Sequence, residues 1–125
     1  MDGEISPPEL ATLLAHDSDD VELRIVDIRS ERAFDRGHLP ESESIPFPQL
    51  TTRVDELTGA DHIVTVCPHG ISSRQAAQLI ASYQGTTDAT VESLHGGVEA
   101  WEQQGHDMVA SPAPDTPAEG PDAPF

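Results

Sequence analysis

The chain has 125 residues and a mass of 13.4 kDa, which is the size of a single modest domain. Its 23 Asp and Glu residues face six Arg and no Lys, for a formal net charge of −17 at pH 7. This balance argues against nucleic-acid binding, which needs clustered cations, and against docking on anionic lipid. Cys67 is the only cysteine, so an internal disulfide is excluded and a reducing, cytoplasmic setting is expected.

Two explanations of the acidity are open. One is an ordinary solvated acidic surface with a disordered tail. The other is adaptation to a salt-rich cytoplasm, where the Debye length is about 3 Å and dense carboxylates repel one another little. The absence of Lys and an aromatic content of 4% favour the second explanation. It predicts a halophilic source and a folded state that loosens at low salt.

The composition predicts one folded domain over residues 1–109 and a disordered tail over residues 110–125. The tail is rich in Pro and acidic residues and has no apolar periodicity, so it buries too little surface to offset its ordering entropy. The N-terminal MDGE lacks the basic and apolar segments of a secretory signal. No apolar stretch reaches the roughly 20 residues of a membrane-spanning helix, and we expect a soluble protein.

Strand and helix signals alternate along the chain. The first helix has the clearest start, with Ser6 as N-cap, Pro7 at its first position and Glu9 closing a capping box. Strands are predicted from short apolar runs at residues 5, 23–28, 44–45, 62–66 and 89–94. Helices are predicted from periodicity and capping signals at residues 7–14, 30–34, 51–57, 72–83 and 98–104. The alternation predicts an α/β fold, a small and mainly parallel sheet with helices on both faces.

The segment that indicates chemistry is residues 66–74, with the sequence VCPHGISSR. Cys67 follows the best predicted strand, at the carboxyl edge where sites form in parallel sheets. A short loop and a helix capped by Ser72 or Ser73 follow, so that loop N–H groups and the helix dipole favour a thiolate. The same cradle would stabilise a persulfide or an oxyanion, so sulfur transfer and phosphoryl transfer both fit. The alternative is a small buried cysteine without a chemical role.

Four stretches, in order, resemble the motifs of the single-domain rhodanese family. The segment GHLP is similar to the family's Gly-His-Ile-Pro turn, and GGVEAW is similar to its closing Gly-Gly-x-x-x-Trp motif. The four are residues 25–29 with Phe34, residues 37–40 with 45–46, residues 67–73, and residues 96–101 with 105–106. The resemblance extends over residues 4–109 and implies a rhodanese-like fold.

The resemblance implies transfer of sulfane sulfur from thiosulfate or a similar anion to a thiol, to cyanide or to a sulfur-acceptor protein. Cys67 would carry the sulfur as a persulfide, and no metal or organic cofactor is implied. Asp27 and Arg29 are candidate supporting residues, although a structural ion pair is the favoured interpretation. The expected substrate-binding residues belong to the loop and the helix start: His69, Gly70, Ile71, Ser72, Ser73 and Arg74.

Two departures from the family pattern bear on these expectations. Many rhodanese loops carry Arg two residues after the loop glycine, where this chain has Ser72, and weaker side-chain binding of an anionic donor is expected. Glu41 and Ser42 replace the usual Gly-Ala pair, and a changed loop is expected there.

Two other functions stay open. A rhodanese-like phosphatase or arsenate reductase would place an Arg fork at position 73, which is Ser73 here. Arg74 comes one position late, which turns a helical side chain by about 100°. A sulfur-relay or regulatory module would form the Cys67 persulfide only on a partner.

Three further residues have simple structural interpretations. His38 is expected to make a structural hydrogen bond in its turn, and Trp101 to pack in the core. The His69 imidazole either lowers the pKa of Cys67 or is an exposed side chain.

Overall fold

The structure is a computed structural model that describes residues 3–16 and 21–110. Residues 111–125 lie outside this part, so the disorder of the tail and the domain boundary at residue 109 stay predictions. The strands are β1 (Glu4–Ile5), β2 (Leu23–Asp27), β3 (Ser42–Ser44), β4 (His62–Val66) and β5 (Thr90–Leu94). The α-helices are α1 (Pro7–Ala15), α2 (Glu31–Arg36), α3 (Leu50–Arg53), α4 (Ser72–Ala81) and α5 (Gly97–Gln103). Short 3₁₀ helices lie at Phe47–Gln49, Val54–Leu57 and Gln84–Thr86.

The strands form one five-stranded parallel sheet in the order β1-β5-β4-β2-β3. Strand β4 is central, and it pairs with β2 on one side and β5 on the other. Because the strands are parallel, their carboxyl ends lie along one edge of the sheet. Cys67, which directly follows β4, therefore lies in the middle of that edge.

The core has two layers, one on each face of the sheet, because successive strand side chains point to opposite faces. The prediction of helices on both faces is confirmed by the members of these layers. One layer joins β4 to α3 and α4 and includes Val26, Leu50, Ile63, Cys67, Ala76, Ala77, Ile80 and Val91. The other joins β4 to α1 and α5 and includes Ile5, Leu10, Ile25, Val64, Val66, Leu94, Val98 and Trp101.

Local sequence signals set the helix boundaries. The predicted capping box is present: Glu9 N donates to Ser6 Oγ at 3.3 Å, and Ser6 N donates to Glu9 Oε1 at 3.0 Å. Ser30 caps α2 through a bond from Ala33 N at 3.2 Å. The helix predicted over 51–57 divides into α3 and a 3₁₀ turn. Within the described residues, no helix is both long and apolar enough to span a bilayer.

The turn before β3 carries backbone strain. Glu41 has φ of 63°, in the left-handed region that suits glycine, and no other non-glycine residue of the described part has a positive φ. The resemblance places a glycine of the family at this position. The side chain at this position thus costs about 1 kcal/mol of strain that a glycine would not.

Candidate active site

Cys67 lies at the carboxyl end of β4 and is 2% exposed. The backbone N–H groups of Gly70 and Ser73 donate to its Sγ at 3.0 and 3.4 Å. The Ser73 hydroxyl lies 3.3 Å from the same sulfur. The N–H groups are fixed donors without acceptor capacity, so they bond more strongly to a thiolate than to a thiol.

The pKa of Cys67 results from two opposing effects. Burial raises the pKa, because the thiolate loses hydration in the interior. The hydroxyl and N–H of Ser73 and the N–H groups of His69 and Gly70 act in the opposite direction. Together they outweigh burial and hold the pKa of the Cys67 thiol below its usual value. The direction is the one expected of the loop amides, and the part of these three residues in substrate binding stays a prediction.

The start of α4 differs from the prediction. Neither Ser72 nor Ser73 caps the helix; Ile71 is the N-cap residue and contributes no side-chain hydrogen bond. Ser73 is fully buried, and its hydroxyl lies between Cys67 Sγ at 3.3 Å and Ser93 Oγ at 2.6 Å. Its position inside the first turn directs the side chain towards the sulfur instead of back along the helix axis.

The beginning of α5 holds the cysteine loop against the sheet. Val98 N donates to Cys67 O at 2.9 Å, and Glu99 N donates to Pro68 O at 3.0 Å. Gly97, at φ of 64°, lies so close that a Cβ atom there would be 2.2 Å from Cys67 O. Only glycine fits such an approach without moving the loop.

Comparison with known proteins agrees with this geometry. A model of the rhodanese-like domain matches residues 6–104. The chain belongs to the rhodanese-like family. The thiosulfate sulfurtransferase GlpE of Shewanella oneidensis is 37% identical over 81 residues, which are 65% of this chain and 77% of that protein. GlpE of Pseudoalteromonas translucida is 37% identical over 91 residues, or 73% of this chain and 82% of that protein.

Solved structures show the same fold. The rhodanese-related protein of Thermoplasma volcanium superposes with a TM-score of 0.70 at 19% identity, covering 85% of this chain and 96% of that chain. This likeness concerns the fold. The family model and the GlpE relatives confirm the resemblance seen in the four sequence motifs and assign the chain to the rhodanese-type sulfurtransferase family.

Four of the predicted loop residues of this rhodanese-like domain have exposed side chains. The His69 imidazole is 61% exposed, and its Nδ1 lies 3.2 Å from Glu99 Oε1. The backbone N–H of His69, and not its ring, is among the groups that lower the pKa of Cys67. Ile71 is 63% exposed, and it shares an open surface depression with Ser72 and Arg74. Their part in donor binding stays a prediction.

Asp27 and Arg29 form a structural ion pair, as favoured above. Arg29 Nε and Nη2 donate to the Asp27 carboxylate at 3.0 and 2.8 Å, and Nη2 also donates to Gly37 O at 2.7 Å. The two side chains are only 12% and 1% exposed. Asp27 pairs in register with Val66, so this ion pair lies on the strand beside the cysteine loop and braces the turn at residue 37.

The structural interpretations of His38 and Trp101 are confirmed. His38 Nδ1 lies 3.0 Å from Leu39 O, and the ring stacks on Phe34 at a centroid distance of 3.8 Å. Trp101 is 2% exposed, and its Nε1 donates to Asp107 O at 2.8 Å.

Two buried hydroxyls behind the cysteine were not identified from the sequence. Thr65 Oγ1 donates to Ser73 O at 2.6 Å, and Ser93 Oγ contacts Ser73 Oγ. Both residues are fully buried. One sequence signal could have pointed to them, a polar residue at a strand position that faces the core. Ser93 lies on the same face of its strand as Val91, and Thr65 lies on the same face as Ile63.

Proposed function

We propose that this chain is a thiosulfate sulfurtransferase in which Cys67 carries sulfane sulfur as a persulfide. The observation that carries the proposal is the convergence of two backbone N–H donors and the Ser73 hydroxyl on the sulfur of Cys67. The names of the GlpE relatives support thiosulfate as the donor.

The first step is attack of the Cys67 thiolate on the sulfane sulfur of thiosulfate. A sulfur–sulfur bond forms at Cys67, the donor's sulfur–sulfur bond breaks, and sulfite leaves with the bonding electron pair. In the second step a thiophilic acceptor such as cyanide attacks the outer sulfur. Thiocyanate leaves, and the electron pair of the broken bond regenerates the thiolate. Neither step needs a general base once the thiol is ionised, so a depressed pKa is the main requirement.

The loop would act on the outer sulfur and on the donor's oxyanion through backbone groups. We assign this role to the backbone amides of residues 69–73. Backbone amides bind an anion without an Arg or Lys side chain, and this protein of net charge −17 has few of them. Arg74 is assigned to the approach of the anionic donor, from the depression it shares with Ile71.

Geometry disfavours a phosphatase. That chemistry requires a guanidinium fork on a tetrahedral oxyanion. The position that would carry the guanidinium is occupied by Ser73, whose hydroxyl is within hydrogen-bond distance of the Cys67 sulfur and of the Ser93 hydroxyl. A relay module that forms a persulfide only on a partner differs from the proposed enzyme in turnover and not in the role of Cys67.

The test is thiocyanate formation from thiosulfate and cyanide in molar KCl, with wild type against Cys67→Ser. The proposal expects turnover by the wild type and none by the variant, and equal rates would overturn it. Hydrolysis of an aryl phosphate is measured beside it, and activity lost in Cys67→Ser there would favour the phosphatase. A wild type that takes up sulfur without turnover would favour the relay module.

A further inference from the structure

A buried chain of three polar groups begins at the reacting sulfur. Cys67 Sγ lies 3.3 Å from Ser73 Oγ, which lies 2.6 Å from Ser93 Oγ. Cys67 is 2% exposed, and both serines are fully buried. Ser93 is on β5, where it pairs in register with Thr65 of β4. It reaches the sulfur only through Ser73.

Counting hydrogens shows which protonation state suits this chain of groups. Three groups in a row make two contacts, and each contact holds one hydrogen. A thiol and two serines bring three hydrogens, so one of them has no acceptor among these three groups. With a thiolate, the two serine hydrogens have two acceptors in line: Ser93 donates to Ser73, and Ser73 donates to the sulfur. Within these three groups, every hydrogen has an acceptor only in the thiolate state.

We propose that Ser93 is a positioning residue that fixes the Ser73 hydroxyl as a donor to the Cys67 sulfur. When Ser93 donates to Ser73 Oγ, the Ser73 hydrogen cannot point back at Ser93, and it is directed towards Sγ instead. A hydroxyl that accepts a hydrogen bond is also a stronger donor, because the two bonds polarise one another. The proposal deepens the proposed function, since it rests on Cys67 as the reacting group.

The hydroxyl of Thr65, on the strand beside Ser93, has a structural role. Thr65 is equally buried and lies on the same face of the sheet. Its Oγ1 donates to the carbonyl of Ser73 at 2.6 Å and so anchors the backbone of α4. Ser93 Oγ instead contacts the side-chain oxygen that touches the sulfur. The two hydroxyls therefore have separable effects.

The experiment measures the pH profile of Cys67 alkylation by iodoacetamide in the full chain, for wild type and Ser93→Ala. This reaction reports thiolate directly and needs no sulfur transfer, so the inference can fail while the proposed function stands, and the reverse. We expect the midpoint of the profile to rise by about half a pH unit in Ser93→Ala, a loss of about threefold in rate at pH values below the midpoint. The plateau rates at high pH should converge.

The matched control is Ser44→Ala, which removes a serine hydroxyl from β3 of the same sheet. Ser44 Oγ is buried and has no hydrogen-bond partner among the described residues. Its removal should leave the alkylation profile unchanged. A midpoint unchanged in folded Ser93→Ala, or moved equally by Ser44→Ala, would overturn the proposal.

A second pair of variants controls for a packing defect in Ser93→Ala. Ser93→Thr and Ser93→Val have nearly the same shape and differ in the hydroxyl. The Thr variant should keep a midpoint lower than that of the Val variant, and thermal melts of both report folding. Equal midpoints in the two variants would contradict a positioning role.

Discussion

At the residue scale, the reactivity of Cys67 depends on few hydrogen bonds. The sulfur is buried, which disfavours its charged form, and donors from His69, Gly70 and Ser73 reverse that effect. A hydrogen bond to a charged group contributes about 1.5–3 kcal/mol, and 1.36 kcal/mol corresponds to one pKa unit. Loss of a single donor is therefore large enough to be seen in a titration.

Ser73→Ala is expected to raise the pKa of the Cys67 thiol by about one unit, because the hydroxyl donor is lost while the backbone donors remain. Since a raised pKa lowers the thiolate fraction below it, alkylation should slow about tenfold at pH values under the wild-type midpoint. The rates should become similar at high pH. Ser72→Ala, at the exposed neighbour, is the control and should behave as wild type; equal profiles for both variants would contradict the assignment.

Asp27→Asn is expected to destabilise the domain by about 3 kcal/mol, because it leaves the largely buried guanidinium of Arg29 without its carboxylate. Denaturant unfolding measures the loss. Glu56→Gln is the control: it breaks the exposed ion pair with Arg53 and should leave the unfolding midpoint close to that of wild type. Similar unfolding midpoints for Asp27→Asn and wild type would show that the buried ion pair does not stabilise the domain.

At the element scale, the site is made where three elements meet: the end of β4, the start of α4 and the turn into α5. The first two adjoin in the sequence, and the third is brought in by the β4–β5 pairing. The α5 turn supports the loop without contributing a side chain to the sulfur. Its contribution is backbone N–H groups and the close approach that a glycine allows.

Gly97→Ala is expected to abolish most alkylation and sulfur-transfer activity, because its Cβ would overlap Cys67 O and the N atoms of His69 and Gly70. Gly105→Ala is the matched control, since Gly105 has φ of 81° with nothing within 4 Å of an added Cβ. The control should lose about 1 kcal/mol of stability from strain and keep its activity. Equal loss in both variants would show that strain, and not the close approach, accounts for the effect.

Sequence reasoning predicted the parts of the fold that depend on local chemistry. The capping box at Ser6, the strand before Cys67 and the alternation of elements all follow from neighbouring residues. The contact of Ser93 with the Ser73 hydroxyl did not follow, because Ser93 comes 20 residues after Ser73 and is placed beside it by the pairing of β4 and β5. The sequence predicts a cap at Ser72 or Ser73 and not a contact of Ser73 with the sulfur, because the inward direction of that side chain depends on how α4 packs on the sheet.

At the scale of the whole molecule, a chain of net charge −17 has to bind a further anion. Among the residues that the structure describes, three of the six Arg side chains form ion pairs with Glu or Asp: Arg24, Arg29 and Arg53. The donor anion must therefore approach a protein of strongly negative charge. Backbone dipoles at residues 69–73 offer local positive potential, and salt screens the remaining repulsion.

Thermal unfolding is expected to shift to higher temperature between low and molar KCl. In dilute salt the excess carboxylates repel one another and destabilise the compact state, and screening to about 3 Å removes that repulsion. Melts followed by circular dichroism at both salt concentrations measure the shift. A midpoint that does not change would contradict adaptation to a salt-rich setting and favour an ordinary acidic surface.

The most direct measurement is mass spectrometry of the protein after one treatment with thiosulfate, with sulfite counted in the same sample. We expect one added sulfur atom on the peptide that contains Cys67, together with one equivalent of sulfite. When cyanide is added, that sulfur should leave as thiocyanate. Cys67→Ser should show neither the added sulfur nor the sulfite. Thiocyanate formed by a wild-type protein whose Cys67 never carries sulfur would contradict the account.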